Sequence, residues 1–303
     1  MKTTLITGAY GFVGGYLSDY ISSKGNKVIR SGIELDSEVI LDVCNSESCK
    51  EVLSKYKPDS IIHLAGFSSV KNSYKNPELC KKINVDGTKN LLNAVRKFSS
   101  KTKVLIISSS EVYGSPKYLP IDEKHPLHGI NPYAKSRITQ EKLVIDEFSD
   151  INIVISRSFN HTGPAQQKGF VLPDFASQIA EILRLKTSPI IHVGNLEAER
   201  DFLDVRDVVK AYYLLITKNT KSKIYNICSG KVYKISEILG SLIKLSGEDI
   251  KIVVDVEKYR PLEILKYYGS HEKITKELGW SPIIPFEQTI KDTFTYWMEN
   301  KLS

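Results

Sequence analysis

Three glycines spaced three apart, Gly8, Gly11 and Gly14, follow the apolar run Thr4-Leu-Ile-Thr7 and open a helical pattern. That pattern is Phe12, Val13, Tyr16, Leu17, Tyr20 and Ile21. No other stretch constrains the fold as much, because a strand that turns on glycines into a helix can bed a dinucleotide pyrophosphate. Gly8 permits the turn, Gly11 lets backbone approach the phosphates, and Gly14 lets the helix pack on the strand. The first-turn N–H groups near Phe12 then point at the anion. Tyr10, Phe12 and Val13 lie in the same turn and join the glycines as expected cofactor contacts.

Strand-like runs alternate with helical ones through the first half: Thr4–Thr7, Lys27–Ser31, Val39–Leu41, Ser60–Leu64, Val104–Ser108 and Ile153–Ser156. Periodic segments such as Asn90–Phe98 and Tyr133–Phe148 lie between them. The order predicts an α/β fold with a doubly wound parallel sheet of the Rossmann kind, its ligands beyond the carboxyl ends of the strands. After Asn160 the texture changes. His161–Gly169 is turn-rich and a helix follows from about Pro173. Strands are expected at Ile190–Val193 and Ile224–Ile227, and helices at Val205–Thr217, Ile235–Ser246 and Phe286–Glu299. The division expected is residues 1–160 as an NADP-binding sheet domain, with a returning segment near 203–230. Residues 161–303 form a smaller, interleaved substrate-binding cap.

The chain has 303 residues, enough for one large α/β unit or two domains. Its formal charge is +7, but the lysines are scattered and form no long block, so no nucleic-acid partner is expected. No apolar run approaches the roughly 20 residues of a membrane span, and the N-terminus lacks a signal-peptide pattern. Both absences favour the cytoplasm. Cys44, Cys49, Cys80 and Cys228 show no CxxC spacing and no nearby histidine pair, so they read as reduced structural thiols and no metal is expected.

Many NAD-binding folds end the second strand on an acid that holds the ribose diol. Here Val28-Ile29 runs into Arg30-Ser31-Gly32. Arg30 can grip a 2′-phosphate as a charge-assisted fork, which favours NADP(H). The alternative is a solvated Arg30 with Glu34 or Asp36 swinging in to serve NAD. Asp42, with Val43, follows the third strand, either to accept from an adenine amino group or to cap a helix. Leu64, Ala65 and Gly66 close the fourth strand with small residues that let backbone approach the cofactor. Asn84 either bridges backbone near the site or simply starts a helix.

Ser108-Ser-Ser-Glu-Val-Tyr-Gly114 ends the fifth strand, and Asn131-Pro-Tyr133-Ala-Lys-Ser-Arg137 stands at the mouth of a helix. Tyr133 and Arg137 are four apart and share one helix face. A cation there favours the phenolate and makes Tyr133 a usable proton donor or acceptor. Ser109 can bind the same substrate oxygen. On pattern alone, Tyr133 as a packing residue and Ser109 as a turn former stay equally open.

Together the segments TGAYGFVGG, LDV, HLAG, NVDGT, SSSEVYG, NPYAKSR, RSFNHTGP and RPLE followed by ELGWSP resemble the extended short-chain dehydrogenase/reductase family of nucleotide-sugar enzymes. The resemblance covers nearly the whole chain. SFNHTGPAQQKGFVLPDFA and VGNLEAERDFLDVRDVVKAYYLL look like the substrate loops of that family's GDP-4-keto-6-deoxy-D-mannose reductases. It implies NADPH-dependent reduction of the C4 keto group of a GDP-sugar to a GDP-6-deoxyhexose (GDP-D-rhamnose), with Tyr133 as proton donor. It also implies a homodimer through helices around Asn90 and Tyr133.

One departure stands out: the family's tyrosine motif is Tyr-x-x-x-Lys, and this chain has Arg137 at the lysine position. Glu111 sits where dehydratase relatives place a base, which keeps a GDP-mannose 4,6-dehydratase or an epimerase as the alternative. An NADP-sensing binding module is a more distant one. For the substrate, the resemblance assigns Asn160 to the sugar or first phosphate and Arg200 and Arg260 to the diphosphate. Glu263 is assigned to the ribose of the nucleotide, and Val171, Pro173 and Phe175 to the base pocket. Salt bridges or cap-core packing are the competing readings for these residues.

Overall fold

Leu5 and Ile6 are neighbours, both fully buried, yet each belongs to a different hydrophobic cluster, and Ile61 and Ile62 divide the same way. Consecutive strand side chains point to opposite faces, so these strands are covered on both. The computed structural model describes residues 1–255 and 264–300. Its strands in chain order are β1 (Thr3–Thr7), β2 (Lys27–Gly32), β3 (Val39–Ile40), β4 (Ser60–His63), β5 (Lys103–Ser109), β6 (Ile153–Ser158) and β7 (Asn160–Thr162). Then come β8 (Ile190–Val193), β9 (Glu199–Arg200), β10 (Phe202–Asp204), β11 (Ile224–Ile227), β12 (Tyr233–Lys234), β13 (Lys251–Val254) and β14 (Lys266–Tyr267).

The helices are α1 (Phe12–Ser23), α2 (Ser46–Tyr56), α3 (Val70–Lys75), α4 (Pro77–Lys81), α5 (Gly87–Phe98) and α6 (Pro132–Glu147). They continue as α7 (Val171–Leu185), α8 (Val205–Thr217), α9 (Ile235–Ser246), α10 (Glu272–Leu278) and α11 (Phe286–Glu299). A π-helical turn, Lys82–Asp86, joins α4 to α5.

Seven strands pair in the order β3-β2-β1-β4-β5-β6-β11, every pair parallel. The chain reverses direction across the sheet between β1 and β4, the place where doubly wound folds open a crevice. One face packs on α2, α5 and α6 through Val52, Leu53, Leu91, Leu92, Val95 and Val144. The other packs on α1, α8 and α10 through Leu17, Ile21, Val208, Tyr212, Leu215 and Ile274. Chain beyond residue 160 therefore returns to the sheet more than once, through α8, β11, α10 and Trp280.

A third cluster belongs to the second half alone. Leu172, Phe175 and Ile179 of α7 meet Ile238, Leu239 and Leu242 of α9 and Phe286, Ile290 and Phe294 of α11. Asp204 ties this layer to the sheet. It caps α8 by accepting from Arg206 N (2.8 Å), accepts from Thr289 Oγ1 of α11 (2.7 Å), and pairs with Arg206, which also reaches Asp292 (2.7 Å).

Candidate active site

Gly8 adopts φ +67°, and a Cβ there would lie 2.9 Å from Ala65 N, so both conformation and space demand glycine. A Cβ on Gly14 would meet Ala9 O at 2.5 Å, which lets α1 seat on the turn. Gly11 differs, for its added Cβ would touch only Gly8 O, at 3.4 Å. Space on that side is open, as an approaching phosphate requires. Helix α1 has no side-chain cap and no acid in its first turn, so its leading N–H groups are unspent on side chains. Leu64 N and Ala65 N donate to Thr7 O (3.2 Å) and Thr7 Oγ1 (3.1 Å), which brings Leu64-Ala65-Gly66 against the glycine turn. Phe12 stacks edge-on with Tyr16, and Val13 packs into the α1–α8 cluster.

At the end of β2 the Arg30 guanidinium lies 4.8 Å over the Tyr10 ring, and its buried Nε has no partner. The Tyr10 hydroxyl accepts from Glu38 N (2.6 Å), which fixes the ring under the cation. A guanidinium held over a ring with unspent donors fits an anion such as a 2′-phosphate. A carboxylate stands nearby too: Glu34 Oε2 accepts from Ile33 N (3.1 Å) and folds over Gly32, 2.4 Å from where a Cβ would be. Asp42 Oδ1 accepts from Cys44 N (2.8 Å), whereas Asn45 caps α2. Val43 is buried, and its carbonyl accepts from Asn90 (3.0 Å).

Asn131 caps α6 by accepting from Ala134 N (2.8 Å), and Pro132 takes the first helical position, where its missing N–H costs nothing. This start delivers Tyr133, only 7% exposed, with the Arg137 guanidinium 5.3 Å from its ring centre. No described residue hydrogen-bonds the Tyr133 hydroxyl, and Arg137 has no carboxylate partner among the described residues. Its Nε is buried and unpaired. Ser109 ends β5 and accepts from Glu111 N (3.2 Å). Glu111 Oε2 in turn accepts from Asn131 Nδ2 (2.9 Å), so the helix cap also aims this carboxylate. Under the strand end, Glu141 and Arg157 form a buried pair (2.6 Å), and Ser108 donates to Glu141 (2.5 Å). The Tyr267 hydroxyl donates to Ser110 O and ties β14 to the same turn.

Asn84, inside the π-helical turn, accepts from Phe67 N (2.8 Å) and donates to Ser136 Oγ (2.9 Å), so it bridges the Gly66 loop to α6. Unusual helical turns often mark working sites. Of the substrate candidates, Asn160 is exposed on β7 and Val171 is half-buried at the start of α7. Pro173 is buried, and Phe175 is a core side chain of the α7–α9–α11 cluster. Helix α7 starts at Val171, two residues before the proline. Arg200 on β9 donates to Glu199 O (3.0 Å) and Leu265 O (3.2 Å). Arg260 and Glu263 lie outside the described residues. The sequence reading passed over Asn131, Gln140 and the Glu141–Arg157 pair. Of these only Asn131 carried a usable signal, an Asn-Pro pair at a helix start.

Residues 5–293 match the sequence model of the GDP-mannose 4,6 dehydratase family. The chain belongs to that family. GDP-6-deoxy-D-mannose reductase of Pseudomonas aeruginosa is 32% identical over 296 residues, covering 96% of each chain. GDP-6-deoxy-D-talose 4-dehydrogenase of Aggregatibacter actinomycetemcomitans is 30% identical over 277 residues, covering 91% of this chain and 90% of the other. The solved structure of RMD from Pseudomonas aeruginosa complexed with NADPH is similar with a TM-score of 0.87 and 32% identity, covering 98% of this chain and 99% of that one. As a member of the GDP-mannose 4,6 dehydratase family, the protein is an enzyme of the nucleotide-sugar short-chain dehydrogenase/reductase class. No helix among the described residues is long and apolar enough to cross a membrane.

Proposed function

We propose that this family member reduces the C4 keto group of GDP-4-keto-6-deoxy-D-mannose to the alcohol of a GDP-6-deoxyhexose, GDP-D-rhamnose, with NADPH. NADPH supplies, when bound, the hydride that reaches C4. Gly8, Gly11 and the start of α1 hold its pyrophosphate, with Leu64, Ala65 and Gly66 alongside; Asp42 and Val43 border the adenine. Arg30, over the Tyr10 ring, takes the 2′-phosphate. The Tyr133 hydroxyl gives its proton to O4, and Ser109 Oγ holds that oxygen as its charge grows. Arg137 balances the phenolate left behind and grips the nicotinamide ribose. Asn160 and Arg200 face the sugar and diphosphate, joined by Arg260 and Glu263, and Val171 and Pro173 border the base. The observation that carries the reading is a tyrosine hydroxyl with no partner among the described residues, beside an arginine with no carboxylate there, at the end of β5.

The reading extends to a cytoplasmic homodimer. Its support is free, mostly buried cysteines and an exposed apolar Ile145 on α6.

One observation favours a second reading. Glu111 is held toward the site by Asn131 (2.9 Å), as a dehydratase base would need to be. Two variants separate the chemistries. Tyr133→Phe lowers kcat by about 10³-fold with NADPH binding unchanged if the phenol is the proton donor. Glu111→Gln leaves keto-sugar reduction within about threefold of wild type if no sugar proton is abstracted. Conversion of GDP-mannose by the wild type with no net change in the cofactor, abolished in Glu111→Gln, establishes the dehydratase instead.

A further inference from the structure

Arg137 is 5% exposed, and its guanidinium is held only by neutral oxygens among the described residues. Nη1 donates to Ile107 O and to Gln140 Oε1, both at 3.0 Å, and Nη2 reaches toward Phe67 O at 3.5 Å. A Cβ added to Gly66 would stand 2.8 Å from Nη2 and 3.1 Å from Asn84 Oδ1. Gly66 does not adopt a positive φ, so its backbone suits alanine. Crowding, chiefly by the guanidinium, is what opposes a larger residue there.

Proton accounting sets which end of the Gln140 amide faces the arginine. Thr88 Oγ1 donates to Asn84 O (2.7 Å), which leaves it only lone pairs for His63 Nε2 (3.1 Å) and Gln140 Nε2 (2.7 Å). His63 therefore donates from Nε2 and accepts at Nδ1 from Thr7 Oγ1 (2.8 Å), which itself accepts from Ala65 N (3.1 Å). With its Nε2 on Thr88, Gln140 turns its oxygen to Arg137. Burial, and then the charge of Arg137, push His63 down to about 3, so it stays neutral. Two runs of donors, one from Ala65 N through Thr7 and His63 and one from Arg137 through Gln140, thus converge on Thr88 Oγ1 and tie the glycine turn to the guanidinium.

We infer that Gly66 and Gln140 are positioning residues that seat an arginine where the related tyrosine motif carries lysine. Gly66 leaves room for Nη2, and Gln140 supplies the acceptor that keeps the fork from swinging off Tyr133. The inference rests on the proposed role of Arg137 beside Tyr133 and the cofactor.

The test is a pair of double-mutant cycles, Gly66→Ala and Gln140→Met, each made alone and combined with Arg137→Lys. Keto-sugar reduction gives kcat and KM for NADPH, fluorescence titration gives the NADPH Kd, and melting temperatures are measured alongside. With Arg137 present, Gly66→Ala lowers kcat by about tenfold or more, since misplacing such a group by 1 Å costs about 10²-fold. In the Arg137→Lys background the penalty of the same change falls by about fivefold or more, and Gln140→Met likewise loses most of its effect. A merely structural role would not yield this rescue. Equal penalties in both backgrounds overturn the inference. If the wild type binds NADPH but reduces no keto sugar, the proposed reaction fails while the cycle read in Kd still decides the seat: coupling there upholds it, and additivity overturns it.

Discussion

At the scale of single residues, the cofactor end of the site is a contest between Arg30 and Glu34. The guanidinium lies over the Tyr10 ring with an unpaired Nε, while the Glu34 carboxylate is turned onto Ile33 N and Ser37. The cation is thus the group with unspent donors. Arg30→Glu is expected to raise the KM for NADPH by about tenfold to 100-fold, the worth of one or two charge-assisted hydrogen bonds, and to leave NADH little affected. A preference for NADH in the wild type, unchanged by the substitution, would assign the pocket to Glu34. Tyr133 and Arg137 could be read from sequence because four-residue spacing alone puts them on one face. Gln140 could not: a glutamine has no chemical signature until α5 brings Thr88 to it, with His63 bonded to Thr88 from β4. Phe175 was assigned to the base pocket by the resemblance alone, against cap-core packing as the competing reading, and it packs in the core.

At the scale of elements, strand β4 delivers His63 into the interior between Thr7 and Thr88. Its folded-state value lies far below that of an exposed imidazole, so the unfolded chain binds a proton that the native protein refuses. The contribution is fully present above about pH 6.5 and is lost as pH falls toward 3, by about 1.4 kcal/mol per pH unit. His63→Asn is less stable at pH 7, and its deficit against wild type is expected to shrink on acidification from 6.5 to 4.5. Denaturant unfolding across that range checks it; a constant deficit would mean that His63 titrates normally.

The long elements were legible because each buries a regular set of apolar side chains. Helices α8, α9 and α11 have the limits expected from sequence, as do strands β8 and β11. Helix α2 was not legible. Glu47, Lys50, Glu51 and Lys55 dominate it, and only Cys49, Val52 and Leu53 are buried. Helices α3 and α4 and the π-helical turn are too short for a period to show, and they are shaped by their packing on α6.

At the scale of the whole molecule, function depends on how the α7–α9–α11 layer is tied to the sheet. Asp204 is buried and holds Arg206 and Thr289 at that junction. Asp204→Ala leaves the half-buried Arg206 with only Asp292 among the described residues and strands the Thr289 hydroxyl. The expected cost is about 3 kcal/mol of stability, with a larger rise in KM for the nucleotide sugar than for NADPH. Equal rises in both would place the junction outside substrate binding. The alternation of strands and helices made the sheet legible from sequence. The ties did not show, because Asp204, Thr289 and Asp292 lie in segments up to 88 residues apart, and only the chain's repeated return to the sheet joins them.

The central claim is that this site passes a hydride to a keto sugar while Tyr133 supplies the proton. The most direct measurement follows nicotinamide absorbance as purified protein meets NADPH and GDP-4-keto-6-deoxy-D-mannose. One NADPH oxidised per sugar consumed is the result expected. Sugar unchanged and NADPH unoxidised, with tight NADPH binding, would contradict the account and leave the protein a binding module, unless GDP-mannose is converted without net change in the cofactor.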